Sequence, residues 1–117
     1  MQLNEFQDVI ARTYGERDKE RGTPATVAWL CEELGELAQA VRKGTVAQQR
    51  HELSDVLAWL ASLAHQLDLS LEEAAARYAD GCPRCSAIPC ACPGPQLSGS
   101  GLSRRARRPP VRRAAPR

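Results

Sequence analysis

Residues Glu32–Asp55 read EELGELAQAVRKGTVAQQRHELSD. Two acidic pairs, Glu33/Glu36 and Glu52/Asp55, share an i, i+3 spacing, and Lys43-Gly44-Thr45 lies between them as a turn. Helical periodicity runs through both pairs. In the first segment Val27, Leu30, Leu34, Leu37 and Val41 form one apolar stripe; in the second, Leu53, Val56, Leu57, Leu60, Leu63, Ala64 and Leu67 form another. Measured from Leu30, Glu33 lies at about −60° and Glu36 at about −120°. Measured from Leu60, Glu52 lies at about −80° and Asp55 at about −140°. Both pairs thus occupy the same rotational edge of their stripes. A short connection at Gly44 demands an antiparallel pair, which brings like edges to the same side.

The axial levels agree with the rotation. Folding the chain at Gly44 sets Glu36 level with Glu52 and Glu33 level with Asp55, so four carboxylates converge on one volume. Any one of them alone reads as an ordinary solvated helix glutamate. Together they repel strongly unless a cation joins them, and a hard divalent ion with oxygen ligands, Mg²⁺ or Mn²⁺, answers that need. The expected fold is all-α: a helical hairpin core that completes a four-helix bundle on dimerisation, with a small C-terminal Cys₄ zinc-type segment.

The pattern E-E-x-x-E followed by E-x-x-D, in EELGELAQAVRKG and HELSDVLAWLASLA, resembles the MazG-type, all-α nucleotide pyrophosphohydrolase family. Asn4 to Tyr78 is similar in length and helix order to a single domain of that family. The resemblance implies metal-dependent hydrolysis of a nucleoside triphosphate to the monophosphate and pyrophosphate. It makes Glu33, Glu36, Glu52 and Asp55 the catalytic metal ligands and gives Glu32 the family's first acidic position, beside the substrate. His51 departs from the pattern, since many relatives carry an acid there. A specialised relative, such as a phosphoribosyl-ATP pyrophosphohydrolase, stays open.

A chain of 117 residues with few aromatics has room for one small domain with a Leu, Val and Ala core. No apolar run approaches a membrane span, and the first ten residues are too polar for a signal peptide, so the expected location is cytoplasmic. Asn4, with Gln7, reads as a cap for a first helix. Gly22 stops that helix, and Thr23-Pro24 opens the next with Thr23 as its cap. Arg17, Lys19 and Arg21 complement the first helix's C-terminal dipole. Arg17 and Arg21, with Lys43 from the turn, are also candidates for binding a triphosphate. Trp29 and Trp59 fall on the carboxylate edges of the two stripes and read as packed boundary residues rather than base-stacking platforms. Cys31, beside its stripe, reads as a small packed side chain. Ser70 with Glu73 caps a short fourth helix. So few helices bury little apolar surface alone, so a homodimer or a dimer of dimers is expected.

The expected divisions are 1–80, a helical domain; 81–93, a Cys-rich zinc knuckle; and 94–117, a disordered Arg/Pro-rich tail. Cys82, Cys85, Cys90 and Cys92 form a C-x2-C-x4-C-x-C cluster suited to one structural Zn²⁺. Charge divides at the same place. Residues 1–92 hold 9 Lys/Arg and 14 Asp/Glu, whereas residues 93–117 hold seven arginines and no acid. Such a tail contacts nucleic acid weakly and with strong salt dependence. The competing reading is therefore a non-enzymatic helical dimer that binds nucleic acid through the Cys₄ knuckle and the tail.

Overall fold

The computed structural model describes residues 1–94 and is all-helical, with no strand among the described residues. Four helices follow in order: α1 (Leu3–Arg21), α2 (Thr23–Lys43), α3 (Val46–Gln66) and α4 (Leu71–Ala76). Helices α2 and α3 form the hairpin, α1 packs mainly across α3, and α4 rests on α1. None of these helices is long and apolar enough to cross a membrane. The arginine-rich tail expected from residue 94 onward lies almost wholly outside the described residues.

Gly22 makes the first corner. Its φ of 81° places it in a region that side-chain-bearing residues rarely adopt. Its N–H closes α1 by donating to the Asp18 carbonyl at 2.9 Å, and its own carbonyl accepts from Thr26 N, opening α2. The cap of α2 is therefore Gly22 rather than Thr23, which is the first helical residue. At the other end, the cap of α1 lies two residues before the expected one. Gln2 holds that position, its N–H donating to Glu5 at 2.8 Å, and Asn4 lies inside the helix. Gln7 does different work from capping. Its Nε2 donates to the Leu69 carbonyl at 2.7 Å and its Oε1 accepts from Leu71 N at 2.8 Å, tying α4 to α1.

The second corner is sterically tight. The Gly44 N–H donates to the Ala40 carbonyl at 2.8 Å. The φ of −97° is open to any residue, so it is not the left-handed closure usual for glycine after a helix. A Cβ built on Gly44 would stand 2.7 Å from the Ala40 carbonyl oxygen and 2.8 Å from its Cα. Close approach, not backbone handedness, is what requires glycine here. Thr45 then caps α3 through a reciprocal pair: Gln48 N donates to Thr45 Oγ1 at 3.2 Å and Thr45 N to Gln48 Oε1 at 2.8 Å.

Two side-chain bonds pin the register of the hairpin. Near the turn, Gln49 Nε2 donates to the Ala40 carbonyl at 3.3 Å. At the far end, Gln66 Nε2 donates to Thr26 Oγ1 at 2.8 Å, and Thr26 in turn donates to the Gly22 carbonyl. A shift of α3 by one turn would break both.

The core is made of small residues. Ala40, Ala61, Ala64, Thr26, Ser62, Ile10 and Asp18 are the buried positions among the described residues. The Leu/Val stripes expected to form the core are largely uncovered: Val41 is 64% exposed, Leu53 50%, and Val27, Leu34, Leu57 and Leu60 are also exposed. The helices meet through Thr26, Ala40, Ala61, Ser62 and Ala64, and three long helices alone leave the larger side chains beyond that contact uncovered. Cys31 is likewise exposed rather than packed.

Candidate metal and nucleotide site

Rotation and register together decide where the acidic residues meet. Glu33 and Glu36 project from α2, Glu52 from α3, and a carboxylate oxygen of each lies within 4.8 Å of the other two. Asp55, one turn further along α3, stands at the edge of this group. Its Oδ2 faces His51 Nε2 at 3.4 Å, and His51 is exposed. Asp55 is still close enough for its charge to act on Glu33. Glu32 points to solvent and is not a member of the cluster.

The Glu33 carboxyl is held above its ordinary pKa. Burial is the first cause, followed by the negative charges of Glu36, Asp55 and Glu52, against which a hydrogen bond from Trp59 works in the opposite sense. Glu33 Oε2 and Glu52 Oε2 are shut off from solvent with no hydrogen-bond partner among the described residues. Two orphaned carboxylate oxygens on facing helices are costly as they stand. An oxygen-seeking divalent cation is a chemically fitting partner for both.

Two hollows open on either side of the cluster. One, about 450 Å³, is lined by Glu36 and Glu52 together with Lys43 at the hairpin turn. The other, about 280 Å³, is lined by Asp55, Trp59, Arg17 and Arg21. The three cations singled out from the sequence thus border the acidic group from opposite ends. They are not equivalent. Lys43 makes no ion pair among the described residues. The Arg21 guanidinium already donates to Asp18 Oδ1 at 2.6 Å and lies 4.7 Å from the centre of the Trp59 ring. Lys19 lines a different hollow, on the side of α1 facing His65.

Asp18 escaped the sequence reading. It is 1% exposed, and its Oδ2 has no partner. The available signal was the i, i+3 spacing to Arg21, which resembles any surface ion pair until α3 covers it. Trp29 and Trp59 do pack, but on each other: their rings stack across α2 and α3 with centroids 5.8 Å apart and planes 13° from parallel.

Beyond α4, the Sγ atoms of Cys82, Cys85, Cys90 and Cys92 all lie within 4.8 Å of one another. Backbone N–H groups of Ala87 and then Ala91 lower the Cys85 thiol to about 6, while hydrogen bonds with Cys90, Cys85 and Cys82 push Cys92 up to about 11.

The family model of the MazG nucleotide pyrophosphohydrolase domain matches residues 21–84. The chain belongs to the MazG family. The matched span contains all four acidic candidates, Lys43 and Arg21; it excludes Arg17 and stops between Cys82 and Cys85. No curated protein matches the chain significantly.

Proposed function

We propose that this MazG-family chain hydrolyses a nucleoside or deoxynucleoside triphosphate to the monophosphate and pyrophosphate, with Glu33, Glu36, Glu52 and Asp55 holding Mg²⁺ or Mn²⁺. The observation that carries this reading is the pair of buried, partnerless oxygens on Glu33 and Glu52 within a three-carboxylate cluster. When bound, the divalent ion supplies charge neutralisation for the phosphate oxygens. In the reaction, the oxygen of a water bonds to the α-phosphorus and the bridging α–β bond breaks. A carboxylate of the cluster accepts the water's proton, and pyrophosphate leaves. Lys43 and Arg17 approach the polyphosphate from the two flanking hollows. Arg21, already engaged by Asp18 and Trp59, contributes from a fixed position. Glu32 lies on the exposed side of α2, where it would contact substrate rather than ligate metal.

The catalytic unit in this reading is a homodimer or a dimer of dimers. The uncovered apolar side chains of α2 and α3 support it, because a second hairpin laid on them completes four helices. The helical domain 1–80, the Cys-rich segment 81–93 and the tail 94–117 are proposed as separate units, with the tail dispensable for hydrolysis and the location cytoplasmic. A structural zinc at the four cysteines is independent of the catalytic step.

The test is incubation of the full chain with mixed NTPs, dNTPs and phosphoribosyl-ATP in Mg²⁺, with products resolved by chromatography. Equimolar monophosphate and pyrophosphate are expected. Release of inorganic phosphate alone would overturn the reading in favour of a different phosphohydrolase, whereas no turnover on any substrate in Mg²⁺ or Mn²⁺ would favour the non-enzymatic nucleic-acid-binding alternative.

A further inference from the structure

We propose that Cys82, Cys85, Cys90 and Cys92 hold one zinc ion in a closed, purely structural site that fastens the segment after α4. The family match does not account for this site, since it ends at Arg84, before three of the four thiols.

The segment lacks a core of its own. No residue after Ala64 is buried among the described residues, and α4 itself buries none. A six-residue helix does not sustain itself, and the loops beyond it have no apolar core to order them. Yet these loops have a definite path. Ser86 N donates to the Cys82 carbonyl at 2.7 Å, and Cys82 N to the Ala87 carbonyl at 3.2 Å, so Cys82-Pro83-Arg84-Cys85 folds into a tight turn. Ser86 closes it with φ 59°. The chain then returns across Gly81, where a Cβ would stand 2.6 Å from Ile88 Cγ1 and 3.0 Å from the Ala87 carbonyl oxygen. That return carries Cys90 and Cys92 over the first two thiols. A metal cross-link supplies the stabilisation that burial does not.

The sulfur set itself has the spacing of a tetrahedral site. Cys82 Sγ lies 3.7 Å from Cys92 Sγ, and Cys85 Sγ lies 3.9 Å from Cys90 Sγ. A tetrahedron with zinc–sulfur bonds of about 2.3 Å has edges of roughly 3.8 Å. Two backbone donors already point at the sulfurs: Ala91 N to Cys85 at 3.3 Å and Cys92 N to Cys90 at 3.4 Å. Such donors orient thiolate ligands and spread their charge. Binding releases the four thiol protons to solvent and leaves a doubly negative centre, with Arg84 inside the first turn as a neighbouring cation. Four protein ligands leave no position for water or substrate, so the site holds structure and takes no part in chemistry.

The same sulfur set suits iron, and the experiment separates the two. The full chain is purified without chelator from medium replete in both metals. Metal content is measured, thiols are titrated before and after chelation, and cobalt is exchanged in. Expected are one zinc per chain, four thiols shielded until chelation, and the sulfur-to-cobalt charge-transfer bands of a tetrathiolate. Cys85→Ser should retain less than about a tenth of the zinc, whereas Cys31→Ser should retain all of it. Hydrogen exchange should accelerate after residue 76 on chelation and stay unchanged in α2 and α3. Stoichiometric iron, intact mass showing two disulfides, or four freely reactive thiols without metal would each overturn the proposal. The cobalt spectrum of the unmodified chain decides it even if the serine variant fails to fold.

Discussion

Glu33 combines partial burial with the negative charges of Glu36, Asp55 and Glu52. Its pKa is raised in the fold above the ordinary value it takes in the unfolded chain. Its contribution to stability is therefore fully present below the unfolded value and is lost as pH rises through the raised one. In chelator, the gap in melting temperature between Glu33→Gln and the parent should widen in the variant's favour across that interval. Saturating Mg²⁺ should close or reverse the gap. A constant gap in chelator would show that Glu33 is not under strain from its neighbours. Glu36 and Asp55 test the ligand assignment. Glu36→Gln and Asp55→Asn should each lower Mg²⁺-dependent turnover by more than about 100-fold, exceeding the loss of an outer-shell contact, with helicity intact. Glu72→Gln, an exposed position on α4, should retain parental turnover. Equal activity in all three would separate the family assignment from these residues. Asp55 is the more informative variant, because its partner in the fold is His51 rather than the carboxylate trio.

At the level of helices, the hairpin was legible because its determinants are local. Gly22, Gly44 and the Thr45/Gln48 pair mark the ends of α2 and α3, and a turn of about 100° per residue carries Glu33, Glu36 and Glu52 to one side. What the sequence concealed depends on partners far along the chain. Gln7 reads as a capping residue until α4 arrives beside it; Asp18 reads as a surface acid until α3 covers it. The apolar stripes were visible, but periodicity says only which side chains share a face, not whether this chain or another covers that face. The tightness of the Gly44 corner yields a prediction of its own. Gly44→Ala places a methyl against the Ala40 carbonyl and the Gln48 side chain. It should destabilise the chain by about 1–3 kcal/mol, as overpacking does, read as a lower urea midpoint with an unchanged m-value. An unchanged midpoint would mean that the corner relaxes without cost.

For the molecule as a whole, the uncovered stripes are the surface on which the proposed association would act. An alanine-lined interior in a chain this short buries little apolar area, while Val41 and Leu53 stay half or more exposed. Sedimentation should find a dimer or tetramer at micromolar concentration, and melting temperature should rise with protein concentration. Leu53→Lys, placed on the exposed stripe away from the carboxylate edge, should shift the population toward monomer and lower stability together. A monomer with full activity and a concentration-independent melt would contradict the proposed assembly. Such a result would leave the acidic cluster untouched, since all three clustered carboxylates come from one hairpin.

The chain has only two tryptophans, and they stack across α2 and α3 beside Glu33. The protein therefore carries its own optical gauge. Two indoles this close should couple electronically, giving a paired exciton signal in circular dichroism that vanishes if the hairpin parts. Arg21, lying over Trp59, should tune the emission. Ligand-dependent changes at Glu33 or Arg21 can then be followed without a label, and Trp29→Phe should abolish the paired signal while leaving Trp59 emission to report alone.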